Sequence, residues 1–266
     1  MKKISILLAL VGLAFANLVF ANAVVTSATG SVQVQTGPAP AKPLRVGDQV
    51  NQGDTVTTGP TSSVVLKFDD GQVAALTANS SMTVTAYQYN KQAGSGNVLL
   101  SLISGGMRAI TGLIGKASPE KVSYRAATAT IGIRGTDVTI ATAGGNVVVT
   151  VTEGSISFTF AGQTVVVPTG RAVVAKPDGS FSQGAINQVQ GQLQGTPLGT
   201  QILNALGGLT GLTNAINQAA PGSPPSGQGA PPPTAPGEGS GAGQGTPTGP
   251  TGPTGGGAGG GTASGN

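Results

Sequence analysis

The run TDVTIATAGGNVVVTVTEGSISFTF at residues 136–160 decides the fold class. Thr136 to Thr142 and Val147 to Thr152 are rich in Val, Ile and Thr, whose β-branched side chains suit a pleated surface. Between them, Gly144-Gly145-Asn146 supplies residues that tolerate the positive φ of a tight turn, which predicts a hairpin. Ser155-Ile156-Ser157-Phe158-Thr159-Phe160 then alternates polar and apolar residues at a period of two, the pattern of a strand with one buried face.

The same grammar extends outward in both directions, from Val24 to about Ser182. Short apolar runs are separated by Gly, Asp and Asn roughly every ten residues, an all-β signal. Ser31-Val32-Gln33-Val34-Gln35 alternates in the same way. Val64 to Phe68 and Gln72 to Leu76 flank Asp69-Asp70-Gly71 and predict a second hairpin; Pro177-Asp178-Gly179 predicts a further turn. Val98 to Ile114 is apolar enough for a helix, but Gly105, Gly106 and Gly112 interrupt it and Gly115 ends it. Two strands joined near Ser104-Gly105-Gly106 are therefore expected. A segment of about 150 residues can hold one real core. With only 3% aromatic residues, that core must be Val, Ile, Leu and Ala. The expected fold is all-β, a sandwich or roll-like stack of short strands, followed by weak helices and a disordered Gly/Pro-rich tail.

The flanks differ in character. Met1-Lys2-Lys3 and the apolar run from Ile4 to about Phe20 have the shape of a secretory signal, and Ala21-Asn22-Ala23 offers small residues for cleavage after Ala23 or Ala21. The expected organisation is a signal peptide (1–23), a β domain (24–182), a weakly helical uncharged segment (183–220) and a disordered tail (221–266). Residues 179–237 carry no charged side chain. Within them, Ile186, Val189 and Leu193, then Ile202, Leu206, Leu209, Leu212 and Ile216, have helical spacing, which predicts two weak helices. Gly207 and Gly211 have the spacing of a membrane helix pair, but Thr, Asn and further Gly interrupt that segment, so a helix docked on the β domain is expected instead. More than half of residues 221–266 are Gly or Pro, too few apolar groups to offset chain entropy.

Composition removes whole classes of function. The chain has no Cys, His or Trp. It therefore lacks disulfides, thiolate metal sites, cysteine nucleophiles, the commonest general base and the best stacking platform for sugars or bases. The net charge of +4 falls to about +2 without Lys2 and Lys3, which argues against nucleic acid or an anionic membrane as a partner. No enzyme activity, metal or cofactor is expected. Ser118-Pro119-Glu120-Lys121 has the spacing of one β-lactamase motif but stands without its companions, and reads as a connecting loop.

From Leu44 to Gly59 the sequence repeats Gly-Asp at an interval of six, as Gly47-Asp48 and Gly53-Asp54, with valines between. These are paired turns around a short strand, each Asp placed to accept backbone N–H groups. The pattern resembles the start of a FecR domain. Val65 to Gly71 with Asp70-Gly71, Ser104 to Ala109, and the block Ile131-Gly132-Ile133-Arg134-Gly135-Thr136-Asp137 resemble the family's next segments in order, over roughly residues 44–140. Val151 to Ile156 and Pro168 to Arg171 resemble its closing strands. Ala126-Ala127 and Val138 depart from the Thr-Pro and aromatic residue of many members. The resemblance implies a periplasmic all-β domain. Named members relay a transporter signal to a cytoplasmic anti-sigma segment; the three residues before the apolar run leave no room for one, so the expected relation is to exported proteins carrying the domain alone.

Among individual residues, Arg134 between Gly132 and Gly135 presents a guanidinium that either contacts a ligand or, as expected here, locks a turn through Asp137 or Glu153. Asp48, Asp54, Asp69 and Asp70 supply oxygen ligands of the kind calcium takes, but without a calcium-loop spacing, and turn capping accounts for each. Arg108, Lys116, Lys121 and Arg125, with Tyr87, Tyr89 and Tyr124, form either a groove for an anionic glycan or, as expected, a solvated face. Two functions stay open: a periplasmic binding or signalling module for a protein or envelope polymer, and a secreted or surface-attached structural protein with a flexible tether. Stable membrane insertion after signal cleavage is not expected, and the sequence does not fix an oligomeric state.

Overall fold

The computed structural model describes residues 23–219. Residues 1–22 and 220–266, on which the expected signal peptide and disordered tail fall, lie outside the described residues. The chain opens with β1 (Ala23–Thr29), β2 (Val32–Thr36), two short pieces β3 (Lys42–Pro43) and β4 (Gln49–Val50), then β5 (Asp54–Thr58), β6 (Ser63–Phe68) and β7 (Val73–Leu76). There follow β8 (Ser81–Asn90), β9 (Ser95–Ile110), the short helix α1 (Leu113–Ala117), β10 (Val122–Ala126), β11 (Ala129–Ala143) and β12 (Asn146–Phe160). The strands end with β13 (Gln163–Pro168), β14 (Arg171–Ala175) and β15 (Phe181–Ala185), and three helices close the described chain: α2 (Ile186–Leu193), α3 (Pro197–Gly211) and α4 (Thr213–Ala219).

Hydrogen bonds join the strands into one mixed sheet, in which β9 and β10 are the parallel pair. The sheet folds over on itself as two layers. The first runs β3-β2-β5-β8, then the first half of β9, β10, the first half of β11, the second half of β12, and β13. The second runs β4-β1-β6-β7, then the second half of β9, the second half of β11, the first half of β12, β14 and β15. One continuous apolar cluster fills the space between them. The architecture is thus the expected all-β roll, with one correction: β9, β11 and β12 are long, at 16, 15 and 15 residues.

Those three strands make the corners. Each passes from one layer to the other at a glycine with positive φ: Gly105 (84°), Gly135 (58°) and Gly154 (75°). At each corner the core-facing positions change parity. In β9 they go from Val98, Leu100 and Leu102 to Met107 and Ala109; in β11 from Ile131 and Ile133 to Val138 and Ile140; in β12 from Val149 and Val151 to Ile156 and Phe158. One extra residue at a bend keeps the same edge of the strand facing inward after it turns, which is what a bulge does. The break expected at Ser104-Gly105-Gly106 is therefore a corner inside a single strand, because the flanking runs remain paired to neighbours on both sides of it.

The predicted turns form where expected. Gly71 N–H donates to Phe68 O (2.9 Å) between β6 and β7, and Gly144-Gly145 links β11 to β12 with φ of 54° and 77°. At Pro177-Asp178-Gly179, Lys176 N–H donates to Ser180 O (2.8 Å).

The outer face of the second layer is covered by the helices. Ala141, Val148, Ala172 and Val174 pack with Val189, Ile202, Ala205 and Leu206. Val65, Val73 and Ala75 pack with Leu209, Ile216 and Ala219. This explains the unbroken apolar runs of β7 and of Val147 to Val149, which are buried on both faces. The two expected helices are three, since the chain breaks at Leu212 between α3 and α4. Gly208 lies inside α3 because Thr77 approaches there: a Cβ would stand 3.0 Å from its Cγ2.

Candidate functional site

The recognisable motif residues divide into those that build the corners and one that does not. Thr111 and Thr136 lock β9 to β11: Thr111 Oγ1 donates to Thr136 O (2.8 Å), and Thr136 N–H donates to Thr111 Oγ1 (2.8 Å). Beside them, Arg108 Nε and Nη2 donate to Asp137 Oδ1 and Oδ2 at 2.9 and 2.6 Å, a bidentate pair whose side chains are 17% and 11% exposed. The hydrogen bonds to Asp137 raise the Arg108 pKa above its ordinary value, outweighing burial. Gly154 sits against the neighbouring corner so closely that a Cβ would come 2.1 Å from Gly135 O. Ile131 is in the core, and Gly132 lies half-buried beside Ser157.

Arg134 was expected to pair with Asp137 or Glu153, and it does neither. Asp137 belongs to Arg108, and Glu153 is exposed without an ion pair among the described residues. The corner at Gly135 is the reason. Arg134 precedes it and points out of the first layer, whereas Asp137 follows it and points out of the second, toward the helices. Arg134 is left exposed, its side chain without a hydrogen bond or ion pair among the described residues.

The earlier Gly-Asp motifs are turn devices. Asp48 Oδ2 accepts from Arg45 N–H (2.7 Å), and Asp54 accepts from Asn51 N–H (2.8 Å) and Thr36 Oγ1 (2.5 Å), with Gly47 and Gly53 at φ of 88° and 89° around β4. Asp70, next to Gly71, is fully buried. Its carboxylate accepts from Gln72 N–H (3.1 Å), Tyr87 Oη (3.2 Å) and Ile114 N–H (3.3 Å), with no cation beside it among the described residues. Burial raises its pKa above the usual 3.8, against the pull of those donors. Burial likewise pushes the Tyr87 and Tyr124 phenols upward, with the Asp70 charge adding to it. The four aspartates stand at separate or adjacent turns, and no three acidic groups gather around a metal position among the described residues.

The expected solvated face of basic residues and tyrosines does not form, nor does its alternative, a tyrosine-lined groove. Tyr87 and Tyr124 are 3% and 0% exposed, held in the core by Asp70 and by Gln72 Oε1. Nor do the basic residues cluster: Arg108 lies under the helices, while Arg125 points out of the first layer. Within Ser118-Pro119-Glu120-Lys121, Pro119–Lys121 form a single turn of 3-10 helix that Ser118 precedes, and Lys121 is exposed.

The outer face of the first layer was not anticipated. Strand registers align Gln35, Thr55, Thr83, Ser101, Arg125, Thr130, Thr159 and Thr164 in one rank across the sheet. Hydroxyls bond along it, Thr55 to Thr83 (2.8 Å) and Thr159 to Thr164 (2.9 Å), and Thr85 bonds Ser101 diagonally (2.7 Å). Next to this rank lies a depression of about 450 Å³ lined by Arg134, Glu120, Ser123, Ser155, Ser157 and Val166. Its lining brings one guanidinium, Arg134, and one carboxylate, Glu120, together with the hydroxyls of Ser123, Ser155 and Ser157, so it suits recognition through hydrogen bonds and one charge of each sign. The signal was present in the polar positions of the alternating runs, but only register shows that they share a row.

Residues 54–157 match the family model "FecR protein". The match starts at Asp54, so Gly47, Asp48 and Gly53 lie ahead of it. Two crystal structures described as an anti-sigma factor from Parabacteroides distasonis ATCC 8503 are similar to this chain, each at 14% identity. One, at a TM-score of 0.42, covers 53% of this chain and 64% of the other; the second, at 0.43, covers 59% and 74%. No curated protein matches this chain. No helix among the described residues is long and apolar enough to cross a membrane.

Proposed function

We propose that this protein is an exported, non-catalytic binding and signalling module of the bacterial envelope, periplasmic or secreted, that engages a protein or envelope-polymer partner through the outer face of its first sheet layer. The FecR domain supports a signalling-related role. The observation that carries the choice of face is the division of labour in the motif. Arg108, Asp137, Thr111 and Thr136 satisfy one another, while Arg134 stands exposed, unpaired among the described residues, beside a hydroxyl-rich depression. A guanidinium presents its donors in a planar fork that matches a carboxylate, phosphate or carbonyl cluster.

The test compares the mature wild type with Arg134→Ala and Arg125→Ala as baits in periplasmic extract. A partner retained by wild type and lost with Arg134→Ala at unchanged melting temperature supports the reading. A partner held equally by all three baits assigns binding to another surface. Export is tested separately by fractionation: recovery of unprocessed chain in carbonate-washed membranes overturns it.

A further inference from the structure

Four strands end the two layers, and three of them are closed to further pairing. β3 is two residues long and consists of Lys42 and Pro43; β4 is two residues long; β15 carries Gly184 and runs straight into α2, which packs against it. These are ordinary ways to blunt a sheet edge. β13 is different. Its six residues, Gln163-Thr164-Val165-Val166-Val167-Pro168, contain no charge, pair only with β12 among the described residues, and include Val166, which is 67% exposed.

The hairpin fixes what that edge offers. Ala161-Gly162 is a two-residue loop with φ of 48° and 77°, so its closing pair Phe160 and Gln163 exchanges both backbone bonds. By alternation, residues 163, 165 and 167 bond to β12, and Thr164, Val166 and Pro168 direct their backbone groups outward. We infer that β13 pairs antiparallel with β13 of a second copy of this chain about a twofold axis at Val166, joining the two first layers into one continuous sheet.

Register and chemistry both select a second copy. With Val166 opposite itself, Thr164 faces Pro168 of the other chain. Val166 exchanges two bonds with its mate, and each Thr164 N–H donates to a Pro168 carbonyl. The missing proline N–H falls at the end of the ladder, where it is least disruptive. Val165, half-buried against the core, meets the other copy's Val167, so the apolar rank continues across the junction. On the outer side the two exposed Val166 side chains cover each other. The flanking outward residues Ser155, Ser157 and Thr159 are uncharged, so no like charges face one another across the axis.

Sedimentation velocity of the mature full-length chain over a range of concentrations tests this, with Val166→Lys, Val166→Thr and Arg134→Ala alongside. Wild type, Val166→Thr and Arg134→Ala dimerise, while Val166→Lys, which sets two ammonium groups face to face, weakens the dimer by about tenfold or more at an unchanged melt. Dimerisation of Arg134→Ala separates this edge from the proposed partner face. Because the chain has no cysteine, Val166→Cys gives a second readout. Hydrogen-bonded cross-strand pairs stand about 5.5 Å apart at Cα, within the roughly 4.4–6.8 Å range of disulfides, so diamide should cross-link Val166→Cys, but not Val24→Cys, to a dimer. A wild type monomeric at every concentration overturns the inference, even if an extracted protein binds the same edge. So does a Val166→Lys dimer as tight as wild type.

Discussion

Replacing Arg108 by alanine removes both donors of the bidentate pair and leaves the Asp137 carboxylate, 11% exposed, without a cation under the helices. Breaking a buried pair from one side costs about 3–5 kcal/mol, and exposed pairs cost far less. Side-chain exposures of 17% and 11% place this pair near the lower end of the buried range, at about 3 kcal/mol. For a domain of this size that is a fall in melting temperature of roughly 6–12 °C. Denaturant melts of wild type, Arg108→Ala, Asp137→Ala and the double variant measure it, and the cycle isolates the coupling of the two side chains. Arg134→Ala is the control, expected within about 0.5 kcal/mol of wild type because its side chain is exposed and has no partner among the described residues. Coincident midpoints for Arg108→Ala and wild type, or an equal loss in Arg134→Ala, would refute the division of the motif into a corner lock and a free arginine.

Asp70→Asn should cost about 2 kcal/mol at neutral pH, because three donors surround the carboxylate and an amide N–H cannot accept from them. The folded state holds the Asp70 proton more tightly than the unfolded chain does. Its contribution therefore favours folding most below the ordinary value of 3.8 and is withdrawn as pH rises through the raised folded-state value. The gap between wild type and Asp70→Asn should accordingly widen on acidification, and a gap that narrows in melts from pH 7 to pH 4 contradicts the buried-carboxylate assignment. Gly154→Ala drives a Cβ into Gly135 O and should cost about 3 kcal/mol or more, whereas Gly162→Ala, at similar φ but in open space, should cost about 1–2 kcal/mol. Ile202→Asp places a charge in the interface between α3 and the second layer, so limited proteolysis should cut within residues 186–219 while most strand signal in circular dichroism is retained.

Much of the fold was legible because strand alternation and turn residues act locally. The hairpins at Asp69-Asp70-Gly71 and Gly144-Gly145 need no distant partner to be inferred, and both formed. The corner at Gly105 was misread as a break, because a glycine between two apolar runs gives the same local signal whether the chain reverses or turns into another layer. Only the neighbours on each side separate the two cases. Arg134 was assigned the nearest acids in sequence for a similar reason. Three residues is close along the chain, but a corner between them places the side chains on opposite outer faces. The hydroxyl rank depends on seven registers at once, and the cation that holds Asp137 lies 29 positions away.

The crossing of β9, β11 and β12 between layers has a mechanical consequence. In a sandwich joined only by loops, the two sheets can slide or peel apart while each keeps its own ladder. Here any such slip must stretch three continuous strands at Gly105, Gly135 and Gly154, so the strands act as tie bars loaded in shear. Under tension the domain should yield in one abrupt event rather than layer by layer, and in native-state hydrogen exchange the central amides of both layers should open together.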